Sequence, residues 1–393
     1  MYIWQSPQWP QFQLDLAALQ PALTQARFAQ GRVMGLASNL QMLDLGEIQL
    51  QGWANEALAT AQIEGEVLQV NSVRASAARR LRLDQAKAQE QDARTEATLD
   101  LLQAAMAHSH QPLSHDMLHG WQAALFPNGR SGAQKIRTGA YRDHAEPMQI
   151  VTPRQGQPDL VHYQAPDSAD VPAHMTRLIH WFNRSLHQTD GLVRAALAHL
   201  WLEAIHPFED GNGRVGRALV EMALAQDLNT DKRLWSLSQQ MWLDRAGYYV
   251  QLQAATGQSH MDVTPWVQWF VGCVHQAANA SWEHMQSALQ KTRFWAEVRA
   301  QHPQLTPSQA KAINKLYDRF PEGFTQSIST EKYVNLCRVS RATAYRELTA
   351  LCAIGLLVQS GVGRGTRYKL QDAWSDLQGV PAQSGIELSP TDP

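Results

Sequence analysis

Apolar residues recur along most of this chain at helical spacing, and the places where that rhythm breaks divide it. Residues 1–104 open on an aromatic segment (Tyr2, Trp4, Trp9, Phe12) and continue as Ala-, Leu-, Gln- and Arg-rich sequence that favours helix. The aromatic residues are expected to pack on the domain that follows. From 105 to 295 the pattern is again mostly helical. Leu192 to Ile205 reads as a helix delivering His206 at its end, where Pro207 stops it. Val215, Leu219 and Met222 mark one face of the next helix.

Between 140 and 172 five prolines (147, 153, 158, 166 and 172) exclude a continuous helix. Met148-Gln-Ile-Val151 and Leu160-Val-His-Tyr163 flank a turn-forming Thr-Pro-Arg-Gln-Gly-Gln-Pro-Asp, which predicts a β-hairpin with a long loop. From 305 to 370 the pattern predicts a helix over Pro307–Phe320, a segment Ser329–Cys337, and a helix capped by Ser340 and stopped at Gly355. Two short strands around a Gly-rich turn follow, from Leu356 to Leu370. This order is that of a winged helix-turn-helix. Residues 372–393, rich in Ser, Pro, Gly and Gln, read as a loose tail. The expectation is a mainly α chain: a helical region 1–104, a helical core 105–295 with one small hairpin, a winged helix 296–371, and the tail.

Composition narrows the function classes. With 44% hydrophobic and 18% charged residues the chain has an ordinary globular balance. A net charge of −2 argues against a polyanion binder as a whole, but it hides a local excess. In 305–370 Lys311, Lys315, Arg319, Lys332, Arg338, Arg341, Arg346, Arg364, Arg367 and Lys369 outnumber Asp318, Glu322, Glu331 and Glu347. Cys273, Cys337 and Cys352 stand in no metal-binding spacing, which fits a reduced compartment. No basic leader with an apolar core opens the chain, and no apolar run approaches ~18 residues, so a cytoplasmic protein without a membrane span is expected.

The chemistry concentrates in His206-Pro-Phe-Glu-Asp-Gly-Asn-Gly-Arg-Val-Gly-Arg217. Glycine tolerates φ > 0 and carries no Cβ, so Gly211-Asn212-Gly213 lets backbone approach an anion. The N–H groups at the following helix start point at whatever the turn cradles. Arg214 and Arg217, at i and i+3, reach the same polyphosphate. No Gly-x-x-x-x-Gly-Lys-Ser/Thr pattern occurs, so a P-loop is not indicated. His199, Glu203 and His206 share a helical face and offer zinc as a rival reading, although the His-Glu-x-x-His order is absent.

The same string matches His-x-Phe-x-(Asp/Glu)-Gly-Asn-x-Arg-x-x-Arg at every defined position, and over roughly residues 100–290 the chain resembles the Fic family. That resemblance implies a protein adenylyltransferase that moves AMP from ATP to a Tyr, Ser or Thr hydroxyl of a protein and releases pyrophosphate. It makes His206 the base, Asp210 the Mg²⁺ ligand, Phe208 a loop anchor, and Gly211, Asn212, Gly213, Arg214, Val215, Gly216 and Arg217 the nucleotide cradle. The hairpin around 146–163 corresponds to the flap that docks the target's backbone, with a plain structural hairpin as the alternative. Tyr248-Tyr249 resembles a pair lining the adenine pocket, and Tyr249 is the one assigned to the nucleotide.

Upstream, Thr60-Ala-Gln-Ile-Glu64-Gly65 fits the family's inhibitory signature (Ser/Thr)-x-x-x-Glu-(Gly/Asn). Its place before the catalytic motif implies inhibition from an N-terminal helix, with Glu64 pairing Arg217. Removal of AMP, transfer of UMP, self-modification and a homodimer all stay open. So does a different class, a DNA-binding regulator whose core senses nucleotide. The winged helix has two readings, a DNA reader using the helix from Ser340 with Arg364 and Arg367, or a protein-contact module.

Overall fold

The computed structural model describes residues 1–40, 42–83, 92–152, 154, 158, 160–317 and 327–371. Most of the hairpin tip, Asp318 to Phe320 with Glu322, and the tail 372–393 lie outside the described residues. The chain divides into two compact units, Met1–Trp282 and Glu283–Pro393.

The first unit is helical, with two short hairpins. Its N-terminal part contributes α1 (Leu16–Ala37), α2 (Met42–Ile63), α3 (Val70–Arg80) and α4 (Ala93–Ala107). Next come α5 (His115–Leu125), the pair β1 (Arg130–Ser131) and β2 (Gln134–Lys135), and the hairpin β3 (Gln149–Thr152) and β4 (Leu160–Gln164). Then follow α6 (Val171–Arg184), α7 (Gly191–Ile205), α8 (Asn212–Leu228), α9 (Leu237–Leu243), α10 (Arg245–Thr256) and α11 (Thr264–Gln301), whose residues from Glu283 on belong to the second unit. The expected hairpin is present, antiparallel, with a register shift between Ile150 and Val151. Among the described residues no helix is long and apolar enough to cross a membrane.

At the centre lies α7, where every residue from Gly191 to Ile205 is buried. A helix apolar on all sides must be surrounded, and α6, α8, α10 and the N-terminal segment cover it. Its neighbour α8 is buried from Val215 to Ala225, so the face marked by Val215, Leu219 and Met222 is only part of a nearly complete enclosure. Gly216 permits this approach: a Cβ there would come within 2.9 Å of Glu203 Oε1 and of His199 Nδ1.

The N-terminal aromatic residues pack as expected. Trp9 and Phe12 meet Trp201 edge-on, at centroid separations of 6.0 and 5.6 Å. Trp4 Nε1 donates to the Gln164 carbonyl at 2.7 Å, fastening β4. Tyr163 donates its hydroxyl to the Ala204 carbonyl at 2.5 Å, which ties the hairpin to α7.

A buried charge cluster anchors α2. Glu56, fully enclosed, accepts hydrogen bonds from Ser236 Oγ (2.7 Å), the Ser238 amide (3.1 Å) and Ser238 Oγ. Arg233 stands between Glu56 (3.8 Å) and Glu221 (2.8 Å) and faces the Trp53 ring. Burial pushes Glu221 up to about 7, with Arg233 opposing and Glu56 adding to the rise.

In the second unit α12 (Pro307–Tyr317), α13 (Thr330–Cys337), α14 (Arg341–Ala353), β5 (Leu357–Ser360) and β6 (Arg367–Leu370) follow in the expected order. Ser340 caps α14 by accepting the Thr343 amide at 3.1 Å, and Gly355 (φ 72°) follows its C-terminus. Ile328 adds a bridge to Tyr368, which the sequence reading had not placed. Phe294, Ile313, Tyr333, Leu348 and Tyr368 are among the core side chains.

The charge cluster generates a stability prediction. Arg233→Ala leaves two buried carboxylates without their cation, so unfolding free energy should drop by roughly 3–5 kcal/mol. Urea denaturation of wild type and variant checks this. A loss below about 1 kcal/mol would mean the cluster does not anchor α2.

Candidate active site

The site grows from the turn between α7 and α8. Pro207 cannot continue α7, and His206 closes it in the left-handed region at φ 51°. A non-glycine residue holds that conformation only under constraint. Here the His206 amide donates to Leu202 O at 2.8 Å, and its carbonyl accepts from Arg142 Nε at 2.8 Å. The Arg142 amide also donates to Pro207 O at 2.9 Å. Arg142 is almost fully buried and fixes the base's backbone; no sequence motif had singled it out.

Phe208 anchors the loop, fully buried in the core. The Asn212 side chain completes the loop from inside: Oδ1 accepts the Phe208 amide and Nδ2 donates to the Phe208 carbonyl, both at 2.8 Å. That side chain is fully used, which leaves Asn212 its backbone N–H for an anion. Gly211 takes the left-handed conformation (φ 89°) that starts α8. Val215 lies in the core and donates its amide to Gly211 O, so it offers nothing outward. The helix start presents the amides of residues 212–214.

Around this start several buried polar atoms have no hydrogen-bond partner among the described residues: His199 Nδ1, Glu203 Oε1, His206 Nδ1, Arg214 Nε and Arg217 Nη1. Buried polar groups normally find partners, and such a concentration marks a place built for something polar. His206 Nδ1 stands 3.9 Å from Glu203 Oε2, beyond hydrogen-bond reach. Burial, with Arg142 adding, pushes the His206 imidazole down to about 4, against the Glu203 carbonyl, Glu64 and Asp210, which raise it. It is therefore neutral at ordinary pH. Burial and Glu64 push Glu203 up to about 8, Arg217 opposing. His199 is pushed down to about 3 by burial and Arg217, and its Nε2 lies 2.9 Å from the Tyr248 hydroxyl. Among the described residues no three His, Cys, Asp or Glu side chains gather as metal ligands, so the zinc reading of His199, Glu203 and His206 has no geometric basis.

Asp210 sits at the mouth, its side chain 35% exposed. Its Oδ2 accepts from Ser131 Oγ, and its Oδ1 accepts the Gly211 amide and faces Arg214 Nη2 at 3.5 Å. A single half-exposed carboxylate beside a phosphate-suited helix start fits Mg²⁺, a hard cation that takes few protein ligands and completes its shell with phosphate and water.

The end of α2 reaches into this site. Arg217 is 2% exposed and donates Nε to Thr60 Oγ1 (2.7 Å) and Nη2 to Thr60 O (3.1 Å) and Glu64 Oε1 (2.7 Å). Burial works against its charge, but Glu64 foremost, then Tyr248 and Glu203, hold its pKa above the ordinary guanidinium value. Glu64 lies so close to α8 that a Cβ on Gly213 would stand 2.2 Å from Glu64 Oε1. Gly213 is helical, so its requirement is space, whereas Gly211 needs the positive φ. Gly65 (φ 77°) ends α2: its amide donates to Gln62 O and that of Glu66 to Ala61 O, a Schellman-type closure.

Between β3–β4 and α10 lies a cavity of about 230 Å³ lined by Ile150, Tyr163, Glu203, Tyr249 and Leu252. Of the two adjacent tyrosines, Tyr248 is buried and Tyr249 faces the cavity, 43% exposed. The Tyr249 hydroxyl donates to Ile63 O at 3.1 Å, so this wall touches the last turn of α2.

Residues 112–224 match the model of the Fic/DOC family, and residues 2–83 match one described as Domain of unknown function (DUF4172). The chain is similar to Protein adenylyltransferase Fic of Drosophila virilis, 38% identical over 85 residues, 21% of this chain and 17% of that protein. It is also similar to Protein adenylyltransferase fic-1 of Caenorhabditis briggsae, 29% identical over 140 residues, 35% of this chain and 25% of that one. The matched stretch thus spans a quarter or less of these relatives' length. In structure it is similar to a Fic family protein from Desulfovibrio desulfuricans G20, with TM-score 0.51 and 20% identity over 89% of this chain and 96% of that one. A Fic domain containing signaling protein from Bacteroides thetaiotaomicron VPI-5482 gives TM-score 0.52 and 17% identity over 67% of this chain and 97% of its own. At such identities the structural likeness speaks for the fold. With His206 to Arg217 falling wholly inside the matched segment, residues 112–224 are a Fic/DOC domain, carried in a chain that folds as Fic proteins do.

Proposed function

We propose that this protein is a Mg²⁺-dependent protein adenylyltransferase, transferring AMP from ATP to a hydroxyl side chain of a protein and held back by Glu64. The observation that carries the reading is the convergence of His206, Asp210, Arg214 and Arg217 at one helix start, among buried polar atoms with no partners. The names of the relatives support it as a family-level activity.

In this mechanism the adenine enters the cavity beside Tyr249, whose ring face suits a purine. The amides of residues 212–214 and the two arginines hold the phosphates. Asp210 would hold Mg²⁺, whose charge would offset that developing on the leaving pyrophosphate. His206, neutral and with one nitrogen unpartnered, takes the proton of the incoming hydroxyl as its oxygen bonds to the α-phosphorus and the bond to pyrophosphate breaks. The hairpin carries Ile150, Val151, Leu160 and Val161 at 37–41% exposure, an apolar edge on which an extended target segment adds as a strand. Glu64 opposes the reaction by occupying Arg217, so the γ-phosphate has no cation to hold it.

A second reading concerns the second unit. The turn between α13 and α14 and the outward Arg341, Tyr345 and Arg346 on α14 favour a winged helix that contacts DNA. Fluorescence anisotropy with duplex DNA should then show affinity falling steeply as salt rises. Arg341→Ala and Arg346→Ala should each flatten the salt slope by about one unit. No binding at low salt leaves that unit a protein-contact module.

Incubation with labelled ATP and mass spectrometry of the products tests the main reading. His206→Ala should lower transfer by about 10²–10⁴-fold while ATP affinity stays within a few-fold. Near wild-type transfer by that variant sinks the mechanism. Glu64→Gly should raise transfer, and the gain should vanish in the Glu64→Gly, Arg217→Ala double variant.

The pH profile carries a sign. His206 is pushed down to about 4, so the proton-accepting form persists until pH falls toward that value. Transfer by Glu64→Gly should therefore hold from pH 8 to 6. A half-loss at the ordinary histidine value near 6.5 would contradict a base buried in this way.

A further inference from the structure

The inhibitory signature accounts for Glu64 and Arg217 but says nothing of the other arginine. In the structure Arg214 Nη1 donates to Glu66 Oε1 at 2.9 Å. Arg214 is as enclosed as its neighbour, 6% side-chain exposure, and lies over the Phe126 ring at 4.9 Å. We infer that Glu66 is a second gating carboxylate, which holds Arg214 against nucleotide phosphate independently of Glu64. The inference rests on the phosphate-binding reading above and extends it from one arginine to both.

The backbone explains how two residues so close in sequence reach two different arginines. Glu64 leaves the last turn of α2, whereas Gly65 reverses the chain in the left-handed conformation. The Glu66 amide then returns to Ala61 O at 2.9 Å, which fixes where the next side chain starts. One carboxylate reaches Arg217 and the other Arg214, three positions earlier on α8. A residue without this turn at 65 would send position 66 elsewhere.

Beside the pair lies a cavity of about 270 Å³ whose walls include Glu66, Arg94, Thr98, Ser131 and Arg214. It gives the Glu66 carboxylate room to turn away from Arg214, toward a cavity that Arg94 also lines. Release at this position therefore needs a side-chain rotation, not the departure of α2, which Glu56 and Arg233 hold in place. Freeing Arg217 alone leaves Arg214 occupied, so replacing Glu64 gives only partial release.

The test compares phosphate-bearing with phosphate-free ligands on the full chain. Calorimetric affinities for ATP and adenosine would be measured on wild type, Glu66→Gln, Glu64→Gln and the double variant, each also with Arg214→Ala. Glu66→Gln should tighten ATP by about fivefold or more and leave adenosine within twofold. The gain should persist beside Glu64→Gln and disappear with Arg214→Ala, the signature of a direct pair. An unchanged ATP affinity, an equal effect on adenosine, or a gain that survives Arg214→Ala overturns the inference. Should ATP bind to none of the variants, the nucleotide reading itself fails, and hydrogen exchange then judges the pair on its own. Glu66→Gln and Arg214→Ala should each speed exchange of the residue 65 and 66 amides relative to the middle of α2. Unaltered exchange in both would dispose of the gate.

Discussion

A guanidinium buried to 2% exposure cannot stand alone, and the position of Arg217 imposes that constraint on everything around it. An uncompensated charge in such a place costs several kcal/mol, so some anion must always be near. The helix start of α8 brings the arginine there because α7 and α8 pack closely over Gly216 and leave it no path to solvent. In the described state Glu64 balances its charge and, with the Thr60 oxygens, takes up Nε and Nη2. In the proposed reaction the phosphates of a nucleotide would do the same. The two arrangements exclude each other because they serve one cation, so the inhibition proposed above would be a matter of charge balance more than of steric blocking.

The N-terminal part of the chain then reads as a component of the site. Its α2 supplies the anion, and Glu56 on the same helix is locked into a buried cluster with Arg233, Ser236 and Ser238. A helix fastened at its middle and end delivers its terminal carboxylates to fixed places. The aromatic opening segment acts on the opposite side: Trp4 fastens β4, and Trp9 and Phe12 cover Trp201 on α7. The hairpin is thereby held against the helix that ends in His206, and α2 against α8 and α9.

Much of this was legible before any coordinates, because the most informative residues act locally. The run from His206 to Arg217 announces its turn, its helix start and its charges within twelve positions. The helices followed from periodicity, the hairpin of the first unit from the prolines around it, and that of the second from its Gly-rich turn. What stayed hidden depends on contacts across long sequence separations. Arg142 holds the His206 carbonyl from 64 positions away, and Glu66 meets Arg214 across 148. The inward turn of Asn212 was equally hidden, because a polar residue in a glycine turn carries no mark of whether it faces ligand or loop. Tyr249 was singled out from its resemblance alone; its exposure beside a buried Tyr248 follows from the helix phase of α10 against the cavity.

Gly213 has an implication for how such a chain can diverge. It sits in the first turn of a long helix, where a residue such as alanine gains up to ~1 kcal/mol over glycine in a helix interior. Its backbone angles are ordinary, so nothing in the turn itself forbids a methyl group. The obstacles are Glu64 Oε1, an oxygen belonging to a distant part of the chain, and behind it Arg217 Nη1 at 3.1 Å. Loss of the glutamate would lift only the nearer obstacle, since a side chain there would still meet Arg217 and crowd the anion that the turn is shaped to admit. One small residue thus answers to two parts of the chain at once, the carboxylate at the end of α2 and the guanidinium one turn along its own helix.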